Sequence, residues 1–70
     1  MPIVIAPINT ELTVVRIALD EKNKKHLLNL GLMEQAKVTV ISSSGGNVII
    51  EVKGVRLALN RDTATKIFVA

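Results

Sequence analysis

His26-Leu27-Leu28-Asn29-Leu30-Gly31-Leu32 closes a short basic helix on a glycine and hands the chain to a strand centred on Val38. A left-handed residue commonly follows the last helical turn, and glycine adopts it without a Cβ penalty, so Gly31 marks the helix end as a structural turn. Upstream, Asp20 to Asn29 is polar at first, and Leu27, Leu28 and Leu30 then supply an apolar face for packing on a sheet. The spacing predicts a helix of about two to three turns. Leu27, Leu30 and Leu32 are expected inward, with Lys24, Lys25 and His26 left on the polar side.

Strands surround this helix. In Leu12 to Leu19, Val15, Ile17 and Leu19 fall on one face at period two, and Val14, Arg16 and Ala18 on the other. Lys37 to Ile41 alternates around Val38 and Val40, Asn47 to Val52 around Val48, Ile50 and Val52, and Val55 to Leu59 around Val55, Leu57 and Leu59. Lys53-Gly54 is a two-residue hairpin turn in which Gly54 supplies positive φ. Ser42 to Gly46 reads as a longer, looser connection. Asn60 suits the cap of a single helical turn over Arg61 to Ala64, and Ile67-Phe68-Val69 forms a last short strand. Short strands joined mostly by hairpins predict a mainly β fold, a small partly open five-stranded barrel with one inserted helix.

Seventy residues without repeat or linker make one domain, residues 1–70, with a single core. Eight Leu, eight Ile and nine Val argue against disorder. The absence of Cys removes disulfides, thiolates, zinc ribbons and iron–sulfur clusters, and suits a reducing cytosol. The apolar run Ile3 to Pro7 is too short for a membrane span or a signal-peptide core. The net charge of +3 gathers at Lys22, Lys24, Lys25 and His26, a weakly basic surface that needs no large anionic partner. Val14-Val15, Val40-Ile41 and Ile49-Ile50 place apolar side chains on both faces of their strands. Either the helix, the N-terminal segment and the loops cover the outer face, or it is a self-association or docking patch.

No nucleophile or acid–base pair has the spacing of an enzyme motif. His26 is the only imidazole and sits in a Lys-Asn-Lys-Lys-His run, so a solvated helix face competes with a metal-ligand role. Asp20 and Glu21 are its nearest carboxylates, and any divalent-ion site built on these groups is expected to be weak, with no cofactor required. Ser43-Ser44-Gly45-Gly46 has the composition of an anion nest but opens a strand rather than a helix. Nucleic-acid binding by the basic run is disfavoured because single-strand binders stack bases on aromatic rings, and Phe68 is the only one here.

Ala6-Pro7 leads into Val15-x-Ile17, then Leu27-x-x-Leu30-Gly31-Leu32, then Val38-x-Val40, then Leu57-Ala58-Leu59 and, five residues later, Ala64-x-x-Ile67-x-Val69. This order, from residue 6 to residue 69, resembles the FeoA family of small ferrous iron transport proteins. The resemblance implies an SH3-like barrel with an inserted helix. It also implies a cytoplasmic, non-enzymatic accessory that contacts the nucleotide-binding region of the ferrous iron permease FeoB and reaches the membrane only through it. A similar domain ends some iron-dependent repressors; no winged-helix segment precedes this one, so the transport accessory is expected and DNA is not. Lys24, Lys25, His26, Leu32 and Met33 are the expected docking residues; the alternative is a module that binds or senses Fe²⁺ weakly, with His26 the candidate metal ligand. The chain departs from the family where Pro-Gly usually follows Leu-Gly-Leu: Glu34-Gln35 must make that turn, and Asn9 stands where many members have glycine.

Overall fold

The computed structural model describes residues 1–70. After a 3₁₀ turn at Ile3–Ile5 come β1 (Glu11–Ile17), α1 (Glu21–Asn29), β2 (Lys37–Ser44), β3 (Asn47–Val52), β4 (Val55–Leu59), the one-turn α2 (Arg61–Ala64) and β5 (Ile67–Val69). All strand pairs are antiparallel, in the order β4-β3-β2-β1-β5, and the sheet stays open between β4 and β5. This is the expected five-stranded, partly open architecture, with the helix between β1 and β2.

Sixteen buried residues, all apolar, form one core cluster. Val48, Ile50 and Val52 enter it from β3, Val38 and Val40 from β2, and Ile67 and Val69 from β5, as period-two alternation requires. Each such side chain contributes about 1.5 to 3 kcal/mol when fully buried. The N-terminal segment closes one end. Ile3 is fully buried, Pro2 bridges Phe68, and Met1 and Val69 exchange backbone hydrogen bonds at 2.9 and 2.8 Å. This segment therefore runs along the outer edge of β5.

Helix α1 starts at Asp20, whose Oδ1 accepts from Asn23 Nδ2 at 2.6 Å, and ends as the glycine predicts. Gly31 has φ +96. Its amide donates to the Leu28 carbonyl at 3.0 Å and the Leu32 amide to the Leu27 carbonyl at 2.9 Å. These are the two bonds of a Schellman motif, with Leu27 and Leu32 as its buried apolar pair. Leu30 is 43% exposed, contrary to the inward position expected of it. It caps the helix at φ −88, and the reversal at Gly31 carries Leu32, not Leu30, beneath Leu27.

Other expectations need correction. In β1, Val14 and Ile17 are buried whereas Val15 and Arg16 are exposed, so Val15 does not share the inner face with Ile17. Val14 pairs with Val69 and Arg16 with Phe68, and the bulge between them resets the alternation. Strand β2 runs to Ser44 through pairs Ser42–Ile49, Ser43–Val48 and Ser44–Asn47, so the connection to β3 is a tight two-residue turn. Gly45 and Gly46 take φ +60 and +89, the conformations such a hairpin needs. In β4, Val55 is 52% exposed although Leu57 is half-buried and Leu59 buried, because it lies at the turn end of an edge strand. Lys53 and Gly54 make the expected β3–β4 turn at φ +52 and +79.

The outer face is not covered. Val15 and Ile49 remain 46% and 40% exposed, and Ile41 is half-buried.

The Glu34-Gln35 turn carries backbone strain. The Ala36 amide donates to the Met33 carbonyl at 3.1 Å, and Gln35, third of the four residues, has φ +75. That position of a type II turn favours glycine. Gln35→Gly is expected to raise the unfolding free energy by about 1 kcal/mol by removing the Cβ penalty. An increased urea midpoint at constant slope checks it.

Candidate docking site

One helix face and one turn frame a groove of about 510 Å³. Glu21, Lys24, Lys25 and Leu28 line it from α1, Ile17 from the end of β1, and Leu32, Met33 and Glu34 from the segment after the helix. The spacing 21, 24, 25, 28 is one helical face, since residues three and four apart project together. The Schellman reversal at Gly31 then doubles the chain back so that Leu32 and Met33 lie against that face. The floor is apolar: Ile17 and Leu32 are buried, Met33 is half-buried and Leu28 is 48% exposed. The rim carries two cations and two carboxylates, and Lys24 Nζ lies 3.8 Å from Glu34 Oε1. Such an exposed pair contributes little to stability. A rim balanced in charge over an apolar floor suits an apolar side chain, not a free anion.

Of the docking residues expected from sequence, Lys24, Lys25, Leu32 and Met33 come together here. Leu32 supports the floor from within the core and has no exposed surface of its own. His26 is exposed but lies off the groove. Ile17, Glu21, Leu28 and Glu34 were missing from the expected set; the helical period from Lys24 and Lys25 points to Glu21 and Leu28, whereas Ile17 and Glu34 join only through tertiary packing. Gly31 and Gly54 both hold turns with positive φ, as expected.

For a metal, no group of three or more His, Asp or Glu side chains converges anywhere in the chain. Asp20 and Glu21 precede His26 by six and five positions, about 8 Å along the helix axis, and Asp20 is bonded to Asn23. A site on His26 would draw on at most two protein ligands. At the β2–β3 hairpin, Arg61 Nε and Nη2 donate to the Gly45 carbonyl at 3.0 and 2.7 Å, so the cation beside the glycine turn is already engaged. Asn60 Oδ1 accepts from the Thr63 amide at 2.9 Å, the cap expected there. Phe68, the single aromatic, is half-buried, with the Arg16 guanidinium 5.7 Å from its ring centre. No helix is long and apolar enough to cross a membrane.

A model described as the FeoA domain matches residues 1–70. The chain belongs to the FeoA family. FeoA-family domains are small accessory domains associated with ferrous iron transport, not a known family of enzymes. This FeoA-family chain is similar to a crystal structure of an iron uptake regulatory protein (FeoA), with 27% identity and a TM-score of 0.88, over 99% of this chain and 93% of that one. The solution structure of the FeoA protein from Chlorobium tepidum is 22% identical at a TM-score of 0.88, covering 99% of this chain and 68% of that one. T. acidophilum IdeR shares the fold at 23% identity and a TM-score of 0.82, with this chain spanning 32% of its length. No curated protein sequence matches the chain.

Proposed function

We propose that this FeoA-family domain acts in the cytoplasm as a non-enzymatic accessory of ferrous iron transport, docking on the cytosolic nucleotide-binding region of a FeoB-type permease. The observation that carries this reading is the groove of Glu21, Lys24, Lys25, Leu28, Leu32, Met33 and Glu34, an apolar floor inside a charged rim. A half-buried Met on that floor adapts to the shape of an inserted side chain, because its unbranched thioether has several accessible rotamers. The four rim charges fix orientation and resist the wrong partner more than they add affinity. Binding, in this account, modulates the permease without chemistry in the accessory domain.

Leu28→Asp tests it. Leu28 is about half exposed in the last turn of α1, so a carboxylate there should cost the fold only about 1 kcal/mol. A carboxylate on the floor is expected to weaken binding to the permease's cytosolic region at least tenfold, about 1.4 kcal/mol. Calorimetric titration of both proteins checks this, and unchanged affinity with an intact fold would remove the groove from the interface.

A further inference from the structure

We propose that β4 pairs with β4 of a second copy of this chain, making a two-fold antiparallel ribbon centred on Leu57. The sheet has two ends. At one, β5 is flanked by the N-terminal segment through the Met1–Val69 bonds and the Pro2–Phe68 bridge. At the other, β4 has β3 as its only strand neighbour, in an unbroken register from Val52–Val55 to Val48–Leu59. A two-residue hairpin makes Val55, Leu57 and Leu59 the residues bonded to β3, so the amides and carbonyls of Arg56 and Ala58 point away from the sheet. Neither residue makes a backbone hydrogen bond to any turn or loop. Val55-Arg56-Leu57-Ala58-Leu59 has neither proline nor bulge, and Arg56 is the one charge guarding this short edge.

Self-complementarity makes the occupant a second copy. With Leu57 facing Leu57, Arg56 of each chain stands opposite Ala58 of the other. The two outward-facing residues then exchange four backbone hydrogen bonds. Arg56 keeps Glu51, 3.7 Å away on its own β3, and meets a methyl group across the axis instead of a like charge. On the opposite face the rows become Ile50–Leu57–Leu57–Ile50 and Val52–Val55–Leu59–Val48, apolar throughout. This arrangement covers Val55, which the single chain leaves 52% exposed at the turn end of its edge strand. Sliding by two residues one way sets Arg56 against Arg56, which is destabilising, and the other way takes Val55 off the strand towards Arg61 of the second copy. Five residues per chain bury far less than the ~1,600 Å² of a standard interface, so the dimer is weak.

Sedimentation equilibrium from about 10 µM to about 1 mM, bracketing a weak dissociation constant, should show the mass rising from 7.6 kDa toward twice that value. Amide exchange at Arg56 and Ala58 should slow over the same range. Ala58→Pro removes an outward amide without breaking the β3–β4 ladder, a substitution that edge strands tolerate, and should remain at 7.6 kDa. If circular dichroism shows that this variant does not fold, Val55→Lys, at an exposed position, serves instead with the same expectation. A wild-type chain still monomeric at the top concentration overturns the proposal, as does association that persists in the folded variant.

Discussion

Leu32→Ala is expected to lower the unfolding free energy by about 3 kcal/mol, the middle of the range for truncating a buried leucine. Leu32 has no exposed surface and belongs to the single core cluster. Its amide closes the Schellman bond to Leu27, and its side chain pairs with Leu27, the only buried residue of α1. Truncation therefore removes both core volume and the apolar partner of the one α1 side chain that is buried. A domain this small has a total stability of only about 5 kcal/mol, so the variant should retain only about 2 kcal/mol. Urea denaturation followed by circular dichroism measures the loss. A loss below about 1 kcal/mol would mean that the helix end collapses onto the vacancy and that Leu32 is not its anchor.

Gly31→Val should cost about 2 to 3 kcal/mol for a different reason. A Cβ at this position would have only Lys53 Cδ within 4 Å, at 3.8 Å, an ordinary contact. Crowding is not the issue. At φ +96 a β-branched residue is strained whatever the surrounding space, and relieving that strain means breaking the bonds from Gly31 and Leu32 back to Leu28 and Leu27. Gly31→Asn separates the two causes, because asparagine tolerates left-handed backbone better: its loss should be about half that of valine. Equal losses from both variants, measured by thermal unfolding, would point to crowding instead. Because the same reversal brings Leu32 and Met33 against α1, the valine variant should also deform the groove.

Gly31 shows how far the sequence carries. A lone glycine after a leucine-rich turn identifies the end of α1 from local chemistry, and Asn60 the start of α2, because caps depend on backbone and side-chain rules within a few residues. The alternation in β3 likewise needs no tertiary information. What local reading misses are bulges: one extra residue at Val15 or Ile41 changes which side chains face inward, and strand pairing decides where it falls. The tight turn at Gly45-Gly46 was hidden by three serines that look like loop but pair as strand. The groove was legible in half. Lys24 and Lys25 are legible as charge, whereas the leucine spacing places Leu28 on the packing face and the imidazole of His26 points to metal chemistry and not to the groove. Which leucine a helix turns outward depends on where the reversal at Gly31 sends the next residues.

The docking account meets its most direct test in a titration of the ¹⁵N-labelled domain with the cytosolic nucleotide-binding region of a FeoB-type permease, followed by amide shifts. Saturable shifts are expected at Lys24, Lys25, Leu28, Met33 and Glu34, with β4 and the Gly45-Gly46 turn unmoved. No shift at any residue up to about 1 mM partner, where even a weak contact of millimolar dissociation constant is half occupied, would contradict direct docking; shifts confined to β4 would contradict the groove.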